Sequence, residues 1–146
     1  MSGMKLSEIA LRELLAEHAV LKQLLEELEA LPSDVQEIPH NAANMLHELR
    51  WRLGNQFESE EKEGYLSEAL AIAPNLIAEA ERLRQEHGMF LKEVEQLWHW
   101  AEERTEVQVA VFRDRYRKFV ERYLNHEHHE NSLVQNAFDL DVGTGD

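Results

Sequence analysis

The densest chemistry in this sequence is the run His126-Glu127-His128-His129-Glu130, near the end of the chain. The apolar residues leading into it, Phe112, Tyr116, Phe119 and Tyr123, recur at steps of four and three, which is one face of an α-helix. The same steps continue onto His126, Glu130, Leu133 and Ala137. An imidazole and a carboxylate one turn apart therefore stand where the pattern reserves core positions. A buried carboxylate without a partner costs several kcal/mol, and a buried imidazole also needs polar partners. Imidazole nitrogens and bridging-capable carboxylates, with no sulfur, suit iron, manganese or zinc.

The elements that must position these groups are long amphipathic helices. The spacing predicts a first helix from Leu6 to Leu31, ended by Pro32, with the stripe Leu11, Leu14, His18, Leu21, Leu25, Leu28. A second helix is expected over 41–71, with the stripe Leu46, Leu49, Leu53, Gln56, Glu60. Pro74 suits the first turn of a third helix running to about Arg104, whose stripe includes Leu83, His87, Phe90, Val94 and Leu97. Thr105 is expected to cap a fourth helix ending near Phe138. Each helix thus carries polar residues inside its apolar stripe. Short turns between long helices predict an all-α, antiparallel up-down-up-down four-helix bundle over residues 1–138, followed by an irregular tail at 139–146. Trp51, Trp98 and Trp100 are expected in core or rim packing.

Counted from the turns that join the helices, His18, Gln56 with Glu60, His87, and His126 with Glu130 fall at one level, to within roughly 3 to 5 Å at ~1.5 Å rise per residue. Inward polar atoms from every helix in one slab are how bundle metal sites are built. Composition narrows the alternatives. A net charge of −14 with histidine neutral opposes nucleic acid and anionic membrane surfaces as partners. The chain has no cysteine, which excludes disulfides, thiolate metal sites and a cysteine nucleophile. The first residues lack the apolar core of a signal peptide, and no run approaches transmembrane length, so a cytoplasmic protein is expected.

Taken together, His18 in Glu-His-Ala-Val-Leu-Lys, Gln56-Phe-Glu-Ser-Glu60-Glu61, His87 in Gln-Glu-His-Gly-Met-Phe-Leu, and His126 with Glu130 resemble the hemerythrin-like family, the HHE cation-binding domains. The resemblance implies a four-helix bundle around a non-haem iron site that binds oxygen or a related small ligand such as nitric oxide, or serves in sensing or iron handling. It implies His18, His87 and His126 as terminal ligands and Glu60 and Glu130 as bridges. The family has His-x-x-x-Glu on helix two, and here Gln56 occupies the His place, as a weak ligand at best. Oxygen-carrying members have a further His one turn from the His87 position, where this chain has Leu83 and Leu91. The expected cofactor is accordingly two iron ions, or one in a reduced site, with zinc or manganese as substitutes.

The bland readings are a hydrogen-bonded polar layer without metal for the whole set, solvated positions for His128 and the Glu58, Glu61, Glu63 run, and incidental places for His40, in a turn beside Pro39, and His99, between two tryptophans near a helix end. His129 is expected at a helix boundary, facing outward or shielding the site. A ferritin-type di-iron bundle needs Glu-x-x-His on two helices, and the one such string, Glu37 to His40, contains Pro39. Besides a small-ligand metal protein, the sequence admits a metal-free helical bundle acting as an interaction or regulatory module. Oxidase-like chemistry at the metal is a third, weaker class, with no catalytic residue assigned. A homodimer is expected if an apolar face carrying the tryptophans is exposed.

Overall fold

The computed structural model describes residues 15, 16, 18–32, 37–62, 71, 73–103 and 109–144, with backbone alone at 138 and 140–144. Four α-helices make up nearly all of it: α1 (Ala19–Glu29), α2 (Ala42–Lys62), α3 (Ile77–Glu103) and α4 (Val109–Thr144). A 3₁₀ turn, Pro74–Leu76, leads into α3 with Pro at its first position, where the missing N–H would have had no partner. The proposed cap Thr105 and the start of the first helix lie outside the described residues. No described helix is long and apolar enough to cross a membrane.

The helices pack in a ring, α1 on α2 and α4, α2 on α3, and α3 on α4. Cross-helix pairs show how they run. Arg50 meets Glu95 while Glu60 faces His87, Glu93 meets Arg115 while Glu86 meets His126, and Glu29 meets Arg117 while His18 meets Glu127. In each pair of helices one number falls as the other rises, as between antiparallel neighbours. The core runs along the axis through Leu21, Leu24, Leu28, Leu46, Leu53, Phe90, Val94, Leu97, Phe112, Tyr116, Phe119 and Tyr123. Tyr116 brings its polar end into this core by donating to the Leu21 carbonyl at 2.8 Å, and burial raises its pKa.

Three sequence expectations need correction. The first helix is not continuous: residues 15 and 16 are helical, but His18 departs, with φ −120° and ψ 85°, and caps α1. No helix breaker stands nearby; the residue that departs is the one whose ring is held by another helix, so tertiary contact overrides local preference. The last helix continues to Thr144, past the expected end at Phe138, because nothing before Gly143 breaks it. Trp51 is not packed: it is 65% exposed, two residues from both Leu49 and Leu53 and so on the opposite face of α2. Trp98 and Trp100 do pack against the core, and the Arg115 guanidinium sits 5.0 Å over the Trp100 ring.

Candidate metal centre

Below the aromatic part of the core, the apolar stripes of α2, α3 and α4 turn polar at Glu60, His87, His126 and Glu130, all of which are buried. His126 and Glu130 are one turn apart on α4, so their side chains stack on the same face. Their facing atoms, His126 Nε2 and Glu130 Oε1, stand 2.9 Å apart. They do so without the alignment of a hydrogen bond, since neither atom has a hydrogen-bond partner. His87 enters from α3, with Nε2 3.6 Å from Glu130 Oε2 and 3.5 Å from Glu60 Oε2. His87, His126 and Glu130 each offer one ligand atom, and these atoms lie within 4.8 Å of one another.

Two neighbours fix the imidazoles. On the outer side of His126, Nδ1 is 2.7 Å from Glu86 Oε1. An ionised carboxylate only accepts, so Nδ1 carries a hydrogen, and Nε2, facing Glu130, is the ring atom that offers a lone pair once His126 is neutral. His87 is held by stacking on Phe57, with ring centroids 4.0 Å apart and planes within 5°. The carboxylate of Glu61 lies 3.7 Å from His87 Nδ1, too far for a hydrogen bond. Both ring nitrogens of His87, Nε2 of His126 and both oxygens of Glu130 are buried without a hydrogen-bond partner. Such atoms each cost ~1–3 kcal/mol when left unsatisfied. Atoms bound ~2.1 Å from one ion stand roughly 3 to 3.5 Å apart; here the Glu130 oxygens lie 2.9 Å from His126 and 3.6 Å from His87, and the three candidate ligand atoms are all within 4.8 Å of one another. The donor set therefore fits a divalent cation better than it fits itself.

The electrostatics agree. Burial pushes the Glu60 carboxyl up, and the adjacent Glu130 pushes it further, to about 8. Burial also disfavours the charge on Glu130, but the close approach of the His126 and His87 rings outweighs it and holds Glu130 well below the ordinary carboxylate range. For His126 burial opposes the imidazolium, yet Glu130 and Glu86 prevail and raise its pKa. One proton is thus contested among several buried groups, a state that a cation relieves.

Of the residues singled out from sequence, His87, His126, Glu130 and Glu60 come together. His18 and Gln56 lie beside them in a hydrogen-bonded network that meets the cluster at Glu60. His18 Nε2 bonds Glu127 Oε2 at 2.8 Å, and Tyr123 donates to Glu127 Oε1 at 2.8 Å. Gln56 Nε2 donates to Glu60 Oε1 and to Tyr123 Oη, both at 3.1 Å. His129 is in mid-helix, not at a boundary, and lines a cavity of about 260 Å³ between α3 and α4 with Glu86, Met89, Phe90, Arg122 and His126. Sequence reasoning missed Glu86, Glu127, Tyr123 and Phe57 as parts of the site. The one signal for Phe57 was that a step of four from Leu53 reaches it as well as a step of three reaches Gln56.

The fold and this cluster define a helical bundle with a buried histidine–carboxylate centre of metal-ligand type. The chain belongs to the hemerythrin HHE cation-binding domain family, whose model matches residues 9–138. No curated protein and no solved structure is matched by the chain.

Proposed function

We propose that this chain is a non-haem metal-binding protein that takes up iron through His87, His126 and Glu130, with Glu60 at the edge of the site, and binds a small diatomic ligand such as oxygen or nitric oxide. The observation that carries the reading is the set of buried histidine and carboxylate atoms left without hydrogen bonds at ligand spacing. Membership of a cation-binding family supports it independently. Bound iron would supply an open coordination position for the small ligand. The chain's own residues orient His126 through Glu86, hold His87 flat against Phe57, and keep the centre under a roof of Phe57, Phe90 and Tyr123. The cavity lined by Met89, Phe119 and His129 would bring a diatomic molecule as far as the His126 ring. The setting proposed is the cytoplasm, and the role is sensing or iron handling.

The test is elemental analysis, with a visible spectrum, of protein purified without a metal-affinity tag and again after anaerobic incubation with ferrous iron. Stoichiometric iron, whose spectrum changes on exposure to oxygen or nitric oxide, supports the reading. No uptake of iron, zinc or manganese refutes it and leaves the metal-free module, whose partner would then be sought at the exposed Trp51.

A further inference from the structure

The polar layer has two halves that differ in kind. On the α3 side, His87, His126 and Glu130 face one another with atoms that make no hydrogen bonds. On the α1 side the polar groups satisfy one another. His18 Nε2 is aligned on Glu127 Oε2 at 2.8 Å as a hydrogen bond, in contrast to the unaligned 2.9 Å approach of His126 to Glu130. Glu127 Oε1 accepts from Tyr123 at 2.8 Å and, at 3.5 Å, from Gln56. Gln56 turns its amide N–H group to Glu60 Oε1 and Glu127 Oε1, while its oxygen accepts from Tyr123 at 3.4 Å and is turned away from the His87 half. An N–H donor cannot ligate a cation. Charge points the same way. A single dication matches the carboxylates of Glu60 and Glu130, while the third carboxylate, Glu127, is met by the donors of His18, Tyr123 and Gln56.

We propose that the layer holds one cation, in the His87–His126–Glu130 half, and that Glu127 closes the His18 half by hydrogen bonds in place of a second ion. This rests on the metal-binding reading above and sets its stoichiometry. His18 then belongs to the hydrogen-bonded wall and not to the ligand set. Gln56 is a positioning residue: by donating to Glu60 Oε1 it leaves Oε2 on the His87 side, 3.5 Å from Nε2. The substitution of Gln for His on α2 and the Glu at 127 form one device, since His18, Tyr123 and Gln56 all meet on the Glu127 carboxylate.

The experiment is an anaerobic titration of the metal-free full chain with ferrous ion and with cobalt(II), the ions counted by native mass spectrometry and the cobalt site read by its visible spectrum. One ion per chain is expected in the parent protein. His18→Gln, whose amide still donates to Glu127, keeps that ion and its spectrum, and His87→Ala loses it. Gln56→Leu weakens cobalt binding by about tenfold and shifts the spectrum. In a Glu60→Ala background the same change does nothing further, which separates positioning of Glu60 from a general packing loss. Two ions in the parent protein, or loss of the ion in folded His18→Gln, overturns the single-cation inference while the metal-binding reading stands. No ion at all, in protein with a normal helical circular dichroism spectrum, overturns both.

Discussion

Glu86 is the residue on which the reading of the centre can be tested most sharply, because it touches His126 and not the ligand space. Its carboxylate holds Nδ1 of His126 at 2.7 Å from a position that is 32% exposed. Glu86→Gln keeps the shape and an accepting oxygen, so the tautomer of His126 survives and only the charge is lost. Glu86→Ala removes both. Loss of such an outer partner of a ligating histidine costs 10- to 100-fold in metal affinity. The Gln variant should fall near the low end and the Ala variant toward the high end. A tenfold loss is ~1.4 kcal/mol. Since binding to the folded state alone adds RT ln(1 + [L]/Kd), the metal-dependent stabilisation shrinks by that amount at fixed excess metal. For a chain of this size that is about 3–6 °C less of a metal-induced rise in Tm. The assay is a pair of melting curves, with chelator and with cobalt(II), together with a competition titration against a chromophoric chelator. Glu95→Gln is the control: it removes an equal charge, paired with Arg50 away from the centre. If Glu86→Ala binds cobalt as tightly as the parent, or if Glu95→Gln weakens it equally, His126 is not the ligand argued for.

The metal-free protein should be less stable near about pH 8.5 than near about pH 6. His126 and Glu60 have folded pKa values raised above 6.5 and 4.5, so their contributions are present at low pH and fade as pH rises through the raised values; that of Glu130, lowered, is lost only in acid. Metal should reverse the slope, because loading needs His126 neutral and Glu60 ionised and so releases protons, measurable in weak buffer with an indicator dye. A metal-free Tm that rises from neutral to alkaline pH contradicts this. Gly88→Ala should raise Tm in both forms by the equivalent of ~0.5–1 kcal/mol, since an added Cβ meets nothing within 4 Å on the exposed face of α3; a loss of stability would mean that this backbone is not helical. Trp51→Ala should change the unfolding free energy by no more than ~0.5 kcal/mol in denaturant titration, as fits an exposed side chain, and a larger loss would place Trp51 in an interface.

Much of the buried cluster is legible in the sequence because each of its residues obeys its own helix's period. His87, His126, Glu130 and Glu60 interrupt apolar stripes, and a stripe residue is buried whatever its chemistry. The helical class follows from the same signal. What the period cannot give is the choice between adjacent positions that satisfy it equally. From Leu21 both Leu24 and Leu25 continue the stripe, and the structure fully buries Leu24. From Leu53 both Gln56 and Phe57 continue it, and the structure buries Phe57, leaving Gln56 at the edge. That one-residue choice decides the character of the layer, because it puts an aromatic face on His87 and an amide donor on Glu60.

Partners from other helices lie beyond any local pattern. Glu86 and His126 are 40 residues apart, and His18 and Glu127 are 109 apart. In sequence Glu86 and Glu127 are each only an acidic neighbour of a candidate histidine, like the many glutamates on solvated faces of this chain. Burial and geometry separate them from those. The His18–Glu127 contact bears on the role of His18 in the same way. Its level along the bundle is right, but level does not say whether a ring nitrogen faces an ion or a carboxylate. Here its Nε2 faces Glu127, at 2.8 Å and in hydrogen-bond alignment, and the single-cation proposal is built on that contact. A Gln at 56 read in isolation is a missing ligand. Read with Glu127 it is a donor to two acidic side chains, and α4 carries the second of these one residue after His126.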